Sequence, residues 1–152
     1  MFEKAKKHLE KYELDNRIIE FSTSTATVAL AASALGITEG EIAKSLAFFI
    51  HEEPILVIVA GDKKIDNAKY KATFGVKAKM ISSLLVETVI GHAAGGVCPF
   101  GINDNVKVYL DESLKEYEYV FPASGTSSSA VKLLISELEE ASNYIAWVDV
   151  CK

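Results

Sequence analysis

The chain has 152 residues, 49% of them hydrophobic and 24% charged, and a net charge of −5. This is the composition of one ordinary globular domain, residues 1–152, large enough to bury a core without disulfides or a structural metal. The acidic balance argues against a protein that grips nucleic acid over a broad basic surface. The segment Met1-Phe2-Glu3-Lys4-Ala5-Lys6-Lys7 lacks the apolar stretch of a secretory signal, and the most apolar run, Leu46 to Ala60, is broken by His51-Glu52-Glu53-Pro54, too early for a membrane span. No membrane partner is expected, and the cytoplasm is the expected compartment. Cys98 and Cys151 have neither metal-ligand nor C-x-x-C spacing, so free thiols, no metal and no cofactor are expected.

In chain order, residues 2–13 read as a helix, with Phe2, Ala5, Leu9 and Tyr12 near helical spacing. A short strand at 17–21 follows. Ser22-Thr23-Ser24-Thr25 supplies N-caps for a helix of small residues at 26–35, which Gly36 stops. Thr38 and Glu41 have capping-box spacing, which predicts a short helix over 39–44. The apolar runs 45–51 and 55–60, joined through Glu52-Glu53-Pro54, read as a β-hairpin buried on both faces in the middle of a sheet. A polar helix at 66–74 ends at Gly75, and 78–81 reads as a strand. Ser82 caps a helix over 83–90, which Gly91 ends. Strands are expected near 106–110, 119–121 and 131–135. Ser136 caps a helix at 137–142, and 145–150 closes the chain as a strand. Helices and strands are interleaved irregularly around a hairpin, which predicts an α+β fold with a mixed sheet rather than a doubly wound one.

Three features can carry chemistry. The densest is Gly91-His92-Ala93-Ala94-Gly95-Gly96-Val97-Cys98-Pro99-Phe100-Gly101. Its glycines and proline permit sharp turns that aim several N–H groups into one concavity, an oxyanion or carboxylate site. No Gly-Lys-Ser/Thr follows, so it is not a phosphate P-loop; a tight structural turn accounts for the composition equally well. Lys44, inside Ile42-Ala43-Lys44-Ser45-Leu46-Ala47-Phe48, either offers a cation to a phosphate or developing oxyanion, or snorkels from a half-buried helix. Gly61-Asp62 ends a buried strand and is readable as a helix cap alone. Around these, six lysines stand between Asp62 and Lys79 against two aspartates, a local balance of +4. Such a patch either touches a few phosphates or is a solvated helix face.

Taken together, Lys44 in "IAKSLAF", Gly61-Asp62 after "ILVIVA", and "GGVCPFG" at 95–101 resemble the signature of the YbaK/EbsC family. Ala123-Ser124-Gly125 is similar to that family's small-residue loop before its final strands. The family includes free-standing aminoacyl-tRNA deacylases and the editing domain inserted in bacterial prolyl-tRNA synthetases. The resemblance implies a single α+β domain with a mixed, mostly antiparallel, barrel-like sheet and flanking helices. It implies hydrolysis of the ester joining an amino acid to the tRNA 3′ end, with alanine or cysteine on proline tRNA as the suggested substrates. The family's functional lysine corresponds to Lys44 and its Gly-x-x-x-Pro loop to Gly95 and Pro99, with Gly96 between them. Water is the nucleophile, so no serine–histidine–acid triad is needed.

The same resemblance places Phe48, Gly61, Asp62, Val97, Cys98, Phe100, Gly101, Ser124 and Gly125 around the substrate. Lys63, Lys64, Lys69 and Lys71 are the candidates for the tRNA backbone. An aminoacylated tRNA end is the implied partner, and a synthetase is a second. His8 and His51 read as solvent-exposed; His92 lies in the loop, but the family match does not require it. Two other readings stay open. One is a binding module of the same fold that holds an aminoacyl end, a nucleotide or a synthetase without turnover. The other is a thiol hydrolase using Cys98, for which the sequence places no basic partner.

Overall fold

The computed structural model describes residues 2–152. Its centre is the hairpin of β2 (Ile42–Ile50) and β3 (Glu53–Ala60), antiparallel from Ala43↔Ala60 to Ile50↔Glu53. This is the longest ladder of a curled six-stranded sheet ordered β7-β5-β2-β3-β4-β8. The other strands of that sheet are β4 (Lys107–Asp111), β5 (Tyr119–Pro122), β7 (Leu133–Leu134) and β8 (Ala146–Val148). β5 joins β2 in parallel, β4 joins β3 in parallel, β8 joins β4 in parallel, and β7 is antiparallel to β5. A separate antiparallel pair, β1 (Ile18–Glu20) with β6 (Ser129–Val131), is tied to the rest by the bridge Ala123↔Ala130. Among the described residues five α-helices flank the sheet: α1 (Phe2–Glu10), α2 (Val28–Leu35), α3 (Asn67–Phe74), α4 (Val86–Ile90) and α5 (Ile135–Ser142). The result is an α+β half-barrel with a mixed sheet, as the irregular interleaving predicts.

Both faces of β3 are covered, which explains why its sequence is apolar without alternation. Leu56 and Ile58 pack with Ala5 and Leu9 of α1, Ile90 of α4, Leu138 of α5 and the loop residue Phe100. Ile55, Val57 and Val59 face the opposite way, onto Tyr70 of α3, Phe48 and Val150. On that side Tyr70 stacks 5.0 Å from Phe48 and 4.7 Å from Phe74, centroid to centroid, the spacing at which aromatic rings attract beyond their buried area.

Several boundaries differ from the expectations. Residues 39–44 are not a helix: the Thr38–Glu41 pair closes one 3-10 turn, Glu39–Glu41, with Thr38 N–H donating to Glu41 Oε1 at 3.0 Å. The chain then enters β2 at Ile42, so Lys44 is a strand residue. Pro54, expected in the hairpin turn, is the second residue of β3; the turn is His51-Glu52, with His51 at φ 59°. Residues 78–81 make a bridge, Phe48↔Met80, instead of a strand. The 83–90 helix shortens to α4, and 131–135 divides into β6 and β7. α5 starts ahead of Ser136 because the Glu137 carboxylate reaches back to the Leu134 N–H at 2.8 Å while clamping both Arg17 guanidinium nitrogens at 2.9 Å. His8 is half-buried rather than solvated, its Nε2 2.6 Å from the Ala141 carbonyl.

Candidate active site

The sheet opens where β2 and β5 part. Their ladder ends at Ala43↔Pro122, and the next residue, Ala123, turns to pair with Ala130. Into this opening falls a cleft of about 400 Å³. Its floor is β2 from Ile42 to Ala47, and its walls are the start of α2, the segment around Met80 and Val86, and Gly95 and Val97 of the glycine-rich loop. Lys44 is the one charged residue among those lining it. Three segments converge at its rim. Thr25 N–H donates to the Ser127 carbonyl at 2.6 Å, and a Cβ on Gly95 would touch Ala26 Cβ at 3.2 Å and Ser127 Cβ at 3.3 Å. Gly95 also sits at φ 91°, a conformation that favours glycine.

Lys44 shares the face of β2 that carries Leu46 and Phe48, and at the strand end its ammonium turns to donate to the Lys63 carbonyl. That carbonyl is fixed by short-range structure. Lys63 N–H closes a turn onto Ala60 O at 3.0 Å, and the C-terminal stretch pairs alongside, Asp66 N–H to Val150 O at 2.8 Å and Lys152 N–H to Lys64 O at 2.9 Å. Gly61 permits the close approach, since a Cβ there would collide with the Glu39 carbonyl. Burial pulls the Lys44 pKa below its ordinary value of 10.5, an effect offset in part by Cys151 and Asp62.

In the glycine-rich loop, Gly96 N–H is spent on the Ala93 carbonyl at 3.0 Å. A Cβ at Gly96 would stand 2.7 Å from Gly125 C and Thr126 N, so its lack of side chain lets two loops touch. Further on the loop turns inward. The Cys98 thiol is fully buried, donates to Phe100 O at 3.6 Å, and is pushed by burial up to about 12. Phe100 is buried beneath α1, its ring 6.0 Å from that of His8. His92, fully buried, holds the Phe100 carbonyl 2.6 Å from its Nε2; burial lowers its pKa, and Nδ1 meets no partner among the described residues. Pro99 faces a second, smaller hollow of about 230 Å³ beside His8, Lys11 and Ser142.

Residues 22–141 match the model of the aminoacyl-tRNA editing domain. The chain belongs to that family. It is 47% identical over 146 residues to YwhH of Bacillus subtilis (strain 168), covering 95% of this chain and 93% of that one. It is 25% identical over 133 residues to EbsC of Enterococcus faecalis, named as a candidate Cys-tRNA(Pro)/Cys-tRNA(Cys) deacylase, with 85% and 81% covered. A solved structure of a candidate trans-editing enzyme for prolyl tRNA synthetase superposes with a TM-score of 0.88 at 29% identity, covering 99% of this chain and 96% of the other.

Within this editing domain the residues singled out from sequence divide into groups. Lys44, Gly95 and Val97 line the cleft. Gly96 and Gly125 pack against each other behind it, and Gly61-Asp62 lead into the turn that receives Lys44. Ser124 is fully buried with its hydroxyl unpartnered among the described residues. Cys98, Pro99, Phe100 and Gly101 point away from the cleft toward α1; Gly101, at φ 68°, abuts the Lys4 backbone. Phe48 lies outside the cleft, on the sheet face covered by Tyr70. Of the lysines, Lys64 and Lys71 are exposed, Lys63 is half-buried, and Lys69 is occupied by Asp149 at 3.2 Å and Cys151 O at 2.9 Å. Sequence reasoning missed Thr25, Thr27, Ser45, Ala47 and Ser129 in the lining. The signal for two of them was present: Ala43, Ser45 and Ala47 are small residues at period 2, the mark of a strand face that leaves space. Among the described residues no group of three or more His, Cys, Asp or Glu could hold a metal ion, and no helix is long and apolar enough to cross a membrane.

Proposed function

We propose that this editing domain is an active aminoacyl-tRNA deacylase that hydrolyses the ester between a small amino acid, alanine or cysteine, and the 3′ end of proline tRNA. Water attacks the ester carbonyl, the bond to the ribose oxygen breaks, and the products are the free amino acid and a tRNA with its hydroxyl restored. The observation that carries the reading is a glycine-rich turn walling an apolar cleft whose floor strand bears Lys44, the one charged residue of the described lining, with its ammonium held at the strand end by the Lys63 carbonyl. Lys44 leaves the Lys63 carbonyl and turns round the edge of β2 to hold the terminal phosphate or the developing charge. Gly95 and Val97 supply N–H groups to the oxyanion; Gly96, whose N–H is engaged, keeps the turn in place against Gly125. Lys63, Lys64 and Lys71 contact the tRNA backbone, and Pro99 shapes the loop from its far side.

The apolar lining favours a small uncharged side chain, because nothing there would neutralise a buried carboxylate other than the lysine already assigned to phosphate. A thiol mechanism is disfavoured by the buried, weakly acidic Cys98. The test is deacylation of a panel of labelled alanyl-, cysteinyl-, seryl- and prolyl-tRNA carrying the proline acceptor. Selective release of alanine or cysteine supports the reading; no release above buffer favours a binding module without turnover.

A further inference from the structure

The outer edge of β2, the edge away from β3, is paired at both ends and bare between them. Toward the start it pairs with β5 as far as Ala43↔Pro122. Toward the end Ile81 N–H donates to Ala47 O at 2.9 Å, and Phe49 N–H donates to Lys79 O at 2.9 Å. Backbone groups alternate along a strand, so the residues whose groups leave on this side are Ala43, Ser45, Ala47 and Phe49. Ser45 therefore turns both its N–H and its C=O toward the cleft that it lines. Its hydroxyl is buried and has no partner among the described residues. A bare stretch of one residue is too short for a peptide strand, which spans about 3.3 Å per residue. It is the right length for a single amino-acid unit.

We propose that Ser45 binds the aminoacyl group as a neighbouring strand would, its C=O accepting from the substrate's α-amino group and its N–H donating to the ester carbonyl. This rests on the deacylase reading and names what that site reads: an α-aminoacyl ester with a free amine, rather than any acyl ester of the right size. Among the described residues no carboxylate lines the cleft, so a carbonyl is the acceptor on offer to the amine. The side chain then falls into the apolar space beside Ala43 and Ala47, where its size is tested.

Two measurements test the proposal. Single-turnover cleavage of alanyl-tRNA is compared with that of propionyl-tRNA, which has the same size and no amine, each rate normalised to the alkaline hydrolysis of its own ester. The propionyl ester should be cut at least about tenfold less efficiently, the loss of one hydrogen bond to a charged group. Independently, the Ser45 amide resonance should shift on titration with alaninamide, and little with propionamide. If alanyl-tRNA is not cleaved, the deacylase reading falls while the titration still decides the role of Ser45. Equal normalised cleavage of both esters, or a Ser45 amide indifferent to alaninamide up to its solubility limit, overturns the proposal.

Discussion

Gly96→Ala isolates the contribution of loop-to-loop packing to the candidate site. A Cβ at this position would stand 2.7 Å from Gly125 C and Thr126 N and 2.8 Å from Thr126 C. These are backbone atoms, so no rotamer change relieves the overlap. Ordinary contact begins at 3.4 Å, which requires the 95–97 and 125–126 segments to separate by about 0.7 Å. Overpacking of this kind costs about 1–3 kcal/mol of stability. The same displacement moves Gly95 and Val97, the proposed oxyanion donors, and misplacement on the ångström scale lowers turnover by about 100-fold. Urea unfolding reads the first effect, and single-turnover deacylation of the folded variant reads the second. Gly75→Ala is the control. No atom of the described residues lies within 4 Å of a Cβ there, but φ is +79°, so it should lose about 1–2 kcal/mol and leave the cleavage rate alone. A Gly96→Ala protein with the stability and rate of the wild type would refute the packing argument.

Stability should fall on mild acidification because of His92. Burial holds its folded pKa below the ordinary 6.5, so the unfolded chain binds the proton first. The contribution is complete above the unfolded value and is lost as pH drops through it, by at most about 1.4 kcal/mol per pH unit. Urea midpoints between about pH 7.5 and 5.5 should slope less in His92→Gln; an identical slope removes His92 as the cause. Cys98→Ala should keep turnover within about tenfold, since a thiol pushed to about 12 is no nucleophile at neutral pH. Abolished turnover in a folded Cys98→Ala protein would restore the thiol mechanism. Reversing Lys64 and Lys71 to glutamate should weaken tRNA binding and flatten its salt dependence, by about 0.7–0.9 in slope for each phosphate no longer neutralised. An unchanged slope takes those lysines out of the interface.

The sequence makes the centre of the fold legible because two long apolar runs separated by a polar turn admit few arrangements other than a buried hairpin. Glycines at 36, 75 and 91 mark helix ends correctly, each taking a left-handed conformation there. Short elements are harder. Thr38 and Glu41 carry a helix-start signal but close a single turn, because Ile42 is immediately recruited into the ladder and packs with Ala31 and Phe121. That error hid the strand parity of Lys44, whose residue borders the cleft but whose side chain leaves β2 on the face of Phe48 and reaches the Lys63 carbonyl. Residue types announce the glycine-rich loop, but direction within a loop is set by tertiary contacts. Gly95 and Val97 look into the cleft, whereas Cys98 to Gly101 dive under α1 against Lys4 and His8. Ser45 stands inside the "IAKSLAF" signature but drew no role from it, since what distinguishes it is the departure of β5 from β2, a long-range event.

The measurement closest to the central claim is single-turnover release of the amino acid from alanyl- and cysteinyl-tRNA of the proline acceptor, with wild type beside Lys44→Ala. If Lys44 holds the phosphate or the developing charge, its removal should slow release by about 10- to 100-fold, the worth of one charge-assisted hydrogen bond, in a variant that unfolds as cooperatively as the wild type. Release that is undiminished in Lys44→Ala, or absent from the wild type, would contradict the account.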